Sequence, residues 1–175
     1  MKINIVVALA IILTTTNSYA LQEEGEALYR YRSLSLALAS EAAWGAVRAC
    51  RERGYSVAVS VVDRGGNQQA ELRDRFAGPH TPETAFRKAW TANSFRQSTG
   101  ELATLLEEGK IPSQIPNNPG ALLVGGGVVI EAGGEIIGAI GVSGAPPGKS
   151  ERDSIDGACA KAGIEAVRES IEFAD

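Results

Sequence analysis

Between Leu34 and Arg53 the chain carries small apolar positions at helical spacing, with Leu36, Ala39, Ala43, Ala46 and Cys50 on one stripe. Ser33 is the expected cap and Gly54 the expected stop, because a hydroxyl satisfies orphan N–H groups and glycine accepts the left-handed turn that ends a helix. So much alanine on the stripe implies close approach to a partner surface. From Ser56 to Val62 the pattern changes to alternating β-branched residues, followed by turn chemistry at Asp63-Arg64-Gly65-Gly66-Asn67 and a return strand from Gln68 to Arg73. A second helix opens at Thr81-Pro82-Glu83, where Thr81 is expected as N-cap, Pro82 as first helical residue and Glu83 in the first turn. Phe86, Trp90 and Asn93 then share one face, with Ala85, Ala89 and Ala92 alongside. Ser98 opens a shorter helix ending near Gly109, and residues 111–120 read as an irregular loop rich in proline. Leu122 to Ile130 and Glu135 to Val142 form a second predicted hairpin across Ala132-Gly133-Gly134, and a last helix runs from about Asp153 to Ile171.

The order α-β-β-α-α-β-β-α, with its paired hairpins, predicts one α+β domain over residues 33–175. Its core would be an antiparallel sheet of about five strands, the fifth near Ala121, with helices packed on both faces. Residues 21–32 are a polar lead-in. Residues 1–20 read as a secretory signal peptide: Lys2 is the positive start, Ile3 to Leu13 the apolar run, and Ser18-Tyr19-Ala20 the small-residue cleavage site. Eleven residues are too few to cross a bilayer core that needs ~20. The expectation is therefore a periplasmic or secreted protein that leaves the membrane once its leader is cut.

Composition narrows the chemistry. A net charge of -4 leaves no excess of Lys and Arg to displace phosphate counterions, so general nucleic-acid binding is excluded. One His and two Cys in the whole chain exclude any site needing two histidines from one copy. Export would allow Cys50 and Cys159 to pair, but each lies among small apolar residues, and the expected reading is two buried thiols. Ser143 to Ser150 ends in Gly-Lys-Ser like a phosphate loop, yet Ser143 replaces the first glycine and Pro146-Pro147 remove N–H groups the cradle needs. Asp63, Glu71, Asp74 and Glu83 sit beside arginine or in turns, where a solvated ion pair is the default. The glycines at 125–127, 138, 141 and 144 leave room for something to lie against strand backbone: a helix, a neighbouring subunit or a flat ligand.

His80 is the strongest single candidate for chemistry. It precedes the second helix, and a neutral imidazole there can ligate a metal; it is also readable as an ordinary loop residue beside a helix cap. Phe76, Phe86 and Trp90 can supply an apolar wall, Thr81 adjoins it, and Arg73, Arg75, Arg87 and Lys88 can neutralise carboxylates.

Several stretches together resemble the GlcG/HbpS-like family, also called the haem-degrading domain. They are Val61-Val62-Asp63-Arg64-Gly65-Gly66, Gly78-Pro79-His80-Thr81, Arg87-Lys88-Ala89-Trp90-Thr91-Ala92, Gly138-Ala139-Ile140-Gly141-Val142-Ser143-Gly144, and Asp156-Gly157-Ala158-Cys159-Ala160-Lys161-Ala162-Gly163-Ile164. The resemblance spans roughly Leu34 to Val167 and implies a profilin-like fold, homo-oligomers and a haem or related tetrapyrrole ligand. On it, His80 would approach the iron, Phe76, Phe86 and Trp90 would meet the ring, and Arg87 or Lys88 the propionates. His80, Tyr29, Tyr31 or Tyr55 remain as axial ligands of a five-coordinate iron. Two further functions stay open: an enzyme acting on a small hydroxy or oxo acid anchored by Lys88, and an oligomeric interaction module with no small ligand.

Overall fold

The computed structural model describes residues 30–148 and 150–172; the expected leader (1–20), most of the lead-in and Tyr29 lie outside them. The first helix, α1, runs Leu36–Glu52 and is capped by Ser35, two residues after the expected cap. Strands β1 (Ala58–Asp63) and β2 (Gln68–Arg73) form the first hairpin. Helices α2 (Thr81–Phe95) and α3 (Thr99–Glu107) follow, then strands β3 (Gly127–Ala132) and β4 (Glu135–Ser143). The chain closes with α4 (Ile155–Glu165) and α5 (Arg168–Glu172), two pieces where the sequence suggested one helix.

The sheet is antiparallel with strand order β2-β1-β4-β3, so the two hairpins are joined through β1 and β4. It has four strands, not five. The stretch expected as a strand near Ala121 and the first five residues of the strand expected from Leu122 to Ile130 are irregular, because side chains take their backbone bonds. Thr91 Oγ1 accepts from Leu122 N at 2.8 Å, and Thr99 Oγ1 donates to the Val124 carbonyl at 2.7 Å.

Helices cover both faces, as expected. On one face α1 and α4 pack over Val57, Val59, Val61, Ile130, Ile140 and Val142 in the main apolar core. The two helices approach closely because glycine faces glycine: a Cβ on Gly163 would lie 2.5 Å from the Ala42 carbonyl oxygen, and one on Gly45 2.9 Å from Ala166 Cβ. That approach also brings Cys50 and Cys159 to a Cα separation of 5.5 Å, and they form a disulfide. The expectation of buried thiols is thus half right: both residues are fully buried, and they are bonded.

The opposite face is covered by α2, over a small cluster of Val62, Ala89, Ala92 and Ala139. Here glycine on the strands is what admits the helix. A Cβ on Gly141 would stand 2.0 Å from the Ala85 carbonyl oxygen, and one on Gly127 would stand 2.3 Å from that of Lys88. The helix therefore rests almost directly on strand backbone.

Candidate functional site

The start of α2 is set by a turn rather than by a side-chain cap. Thr81 N and Oγ1 both donate to the Gly78 carbonyl, at 3.0 and 2.7 Å, so buried Thr81 is the first helical residue and the cap position falls to His80. The His80 side chain caps nothing, is exposed, and folds over Gly78, where a Cβ would lie 2.7 Å from its Cε1. Its ring therefore plays no part in starting the helix.

Beside it lies an open cleft of about 630 Å³ between the first turn of α2 and the β1–β2 hairpin. Pro79, Pro82 and Phe86 give it apolar walls; Asn67, Gln68, Glu71 and Glu83 give it polar and acidic ones. The hairpin wall is stiff. Asp63 accepts from Asn67 N at 2.8 Å and from both Asn67 Nδ2 and Gln69 Nε2, and Gln68 bridges Ser60 and Glu71. The Trp90 ring packs against Gly66 and Gly120, within 3.2 and 3.5 Å of where their Cβ atoms would be. Asn93 adds a bond to the Arg64 carbonyl.

The structure thus sorts the residues singled out in the sequence. Phe86 lines the cleft, whereas His80 is not among its walls: it adjoins them only through its chain neighbour Pro79, and its ring lies against Gly78. Thr81 and Trp90 support it without lining it. Arg87 is half-buried and ties the Gly120 and Ala121 carbonyls (3.3 and 2.9 Å), which commits it to the 111–121 loop rather than to a ligand. Phe76 is elsewhere: at 81% exposure it edges a separate depression with Arg51, Arg73 and Arg75. Neither Tyr31 nor Tyr55 lines the cleft; Tyr31 borders a small cavity with Leu38 and Ile171, and Tyr55 packs on the main core.

Lys88 is the largest departure from expectation. It is 2% exposed, and its Nζ donates to Asp156 Oδ2 at 2.8 Å and to the Val142 carbonyl at 3.0 Å. Asp156 also accepts from Ala145 N at 2.9 Å. Burial pushes the Lys88 ammonium down and the Asp156 carboxyl up from their ordinary ranges, and their mutual attraction opposes both shifts. The ammonium passes Gly126, where a Cβ would be 3.0 Å from Nζ, so the pair ties α2 on one face to the first turn of α4. A lysine so placed cannot meet a propionate or anchor a small acid. Its neighbours could have revealed this: Ala85, Ala92 and Thr91 stand three or four residues away on the buried side of α2.

Residues 34–165 match the model of the family described as haem degrading protein HbpS-like. The chain belongs to the HbpS-like family. Its fold is similar to that of a double mutant of HbpS from Streptomyces reticuli, with a TM-score of 0.71 and 38% identity over 80% of this chain and 90% of that one. It is also similar to a PduOC–haem complex, with a TM-score of 0.66 and 26% identity over 77% of this chain and 94% of the other. A 15.0 kDa protein from the dhaT-dhaS intergenic region of Citrobacter freundii is 32% identical over 125 residues, covering 70% of this chain and 86% of that protein. The α+β fold and the family expected from the sequence both stand. Among the described residues no cluster of three or more His, Cys, Asp or Glu forms a metal site, and no helix is long and apolar enough to cross a membrane.

Proposed function

We propose that this HbpS-like chain is an exported haem-binding protein whose cleft lies between α2 and the β1–β2 hairpin. The observation that carries the reading is a cleft walled by Pro79, Pro82 and Phe86, with an exposed imidazole, uncommitted to capping, on the residue next to Pro79. A tetrapyrrole asks for an apolar wall along its ring and an axial donor to its iron. The apolar wall fits the ring, so Phe86 and the prolines would hold the macrocycle; His80, beside Pro79, would have to turn its ring from Gly78 toward the cleft to ligate the metal. Iron so held supplies axial-ligand and one-electron chemistry, which is the cofactor's own. The carboxylates of such a ligand fit less well on one copy, since Glu71 and Glu83 line the same cleft. The complex with haem formed by a protein of similar fold supports the reading.

Export is part of the proposal. The buried Cys50–Cys159 disulfide favours it, because such bonds persist in oxidising compartments and are rare in the cytosol of mesophiles. The small-acid enzyme has lost its anchor, since Lys88 is held by Asp156.

The test is a hemin titration of residues 21–175 followed in the Soret band, beside His80→Ala and Phe86→Ala. The expected result is a saturable, stoichiometric shift in the wild type. His80→Ala should change the band position, and Phe86→Ala should weaken binding by about tenfold without moving the band, as loss of buried ring contact costs about 1–3 kcal/mol. A non-saturating response in the wild type, or an identical spectrum in His80→Ala, would sink the reading.

A further inference from the structure

Two surfaces that the sequence reading joined into one site are separate on a single copy, and they are complementary. The cleft is open on one side and acidic, with Glu71 and Glu83 among its walls and no basic side chain among the described residues lining it. The second surface is the loop tip at Arg75-Phe76, where Arg51, Arg73 and Arg75 surround one carboxylate, Asp74. Asp74 is spoken for: Arg51 binds it through two nitrogens at 2.7 and 3.0 Å, and Arg75 N donates to it at 2.7 Å. That leaves the tip with positive charge in excess and an aromatic ring 81% exposed to water.

The tip is not a loose end. Asp74 N donates to the Val57 carbonyl and Ala77 N to the Asp74 carbonyl, at 2.9 and 3.0 Å, and Ala77 beneath it is 2% exposed. Arg73 bonds the Ala77 carbonyl from the other side. The Arg75 guanidinium stands 5.9 Å from the centre of the Phe76 ring. A rigid loop that holds Phe and Arg out into solvent has already met the ordering cost of binding, and these residue types anchor protein interfaces.

We propose that Arg75 and Phe76 of one copy close the cleft between α2 and the β1–β2 hairpin of a second copy, and reciprocally. The tip and one cleft wall, Pro79, belong to the same loop, Asp74 to His80, so a twofold axis beside that loop would bring each tip toward the other copy's cleft. The arriving arginine faces Glu83 and supplies the positive charge that one copy lacks, while Phe76 covers the open side opposite Phe86. Because the chain as a whole carries a net charge of -4, association depends on this local match rather than on general attraction. The ligand arm of this inference rests on the haem reading above; the contact itself does not.

The experiment is sedimentation velocity of residues 21–175, with Arg75→Glu and Glu83→Arg studied singly and as an equimolar mixture. Each change alone places like charges face to face. In the mixture both pairs between unlike copies are attractive, one with the wild-type charges and one with the charges exchanged. The expected result is an assembled wild type, each variant shifted to monomer, and the mixture reassembled; variants that had failed to fold would not rescue one another. A parallel hemin titration should show binding weakened by about tenfold or more in each variant alone and recovered in the mixture. A monomeric wild type, single variants that remain assembled, or a mixture that does not assemble would overturn the proposal. Assembly as described with no hemin bound by the wild type would uphold the contact and remove only the haem reading.

Discussion

The two faces of the sheet are built on opposite terms. The α1/α4 face is apolar throughout, closed by glycine-to-glycine helix contact, and locked by a disulfide whose partners are 109 residues apart. The α2 face has a small apolar cluster, glycine-bearing strands beneath it, and a buried lysine whose charge is met by an aspartate on α4. The first face is a fixed support. The second is where polar groups enter the interior and where the cleft opens, at the end of the helix that rests on strand backbone. A wall built of Asn67, Gln68, Pro79 and Phe86 can be shaped for a ligand because the opposite face carries most of the core.

The comparison can be broken most severely at Lys88. Lys88→Met leaves Asp156 charged and buried, and should cost about 3–5 kcal/mol of unfolding free energy, whereas replacing both partners together with apolar residues should recover much of the loss. Urea denaturation of the three proteins measures it. An equal loss in the double variant would mean that the lysine acts by packing and not by charge.

The fixed face is tested by the double change Cys50→Ala and Cys159→Ala. A cross-link closing so long a loop restricts the unfolded chain strongly, and its removal should cost about 2–5 kcal/mol, read from the urea midpoint. The cleft should stay intact, with hemin affinity unchanged under conditions where the variant is folded. A parallel fall in affinity would show that the two faces are not separable.

The smallest effect concerns the exposed pair on the loop tip. The Arg51 guanidinium hydrogen-bonded to Asp74 holds its carboxyl below the ordinary range. A carboxyl lowered by folding stabilises the native state above its unfolded pKa of about 3.9, and that contribution is lost as pH falls through the folded value. The stability difference between the wild type and Asp74→Asn should therefore be full at neutral pH and close below about pH 4. Thermal melts across that interval check it. A difference that persists at the lowest pH would assign Asp74 a role other than its charge.

Much of this architecture was legible in the pattern of residues. The first hairpin, the proline-led start of α2 and the alanine stripe of α1 follow from local rules, and the structure keeps them with shifts of one or two residues at their ends; the second hairpin is kept too, but its first strand starts at Gly127, five residues after the expected Leu122. Less legible was anything set by contact between distant segments. The supposed fifth strand failed because Thr91 and Thr99, on other elements, take its backbone bonds. The disulfide depends on how closely α1 and α4 cross, which the two cysteines alone do not state. At the cleft, Phe86 was within reach of local reasoning because it stands in the second turn of α2. Pro79 and Pro82 flank His80 and read from the sequence as punctuation, although in space they are cleft walls. Phe76 and Lys88 were misplaced for opposite reasons: one sits on a turn that points it away, the other on the buried side of a helix.

The most direct test of the division between a supporting face and a binding face is amide hydrogen exchange of the folded 21–175 protein with and without hemin. The account expects new protection confined to residues 66–71 and 79–86, together with the 74–77 tip, and no change in α1 or α4. Protection centred on α1 and α4, or on the cavity bordered by Tyr31, Leu38 and Ile171, would contradict it and move the binding site to the other side of the sheet.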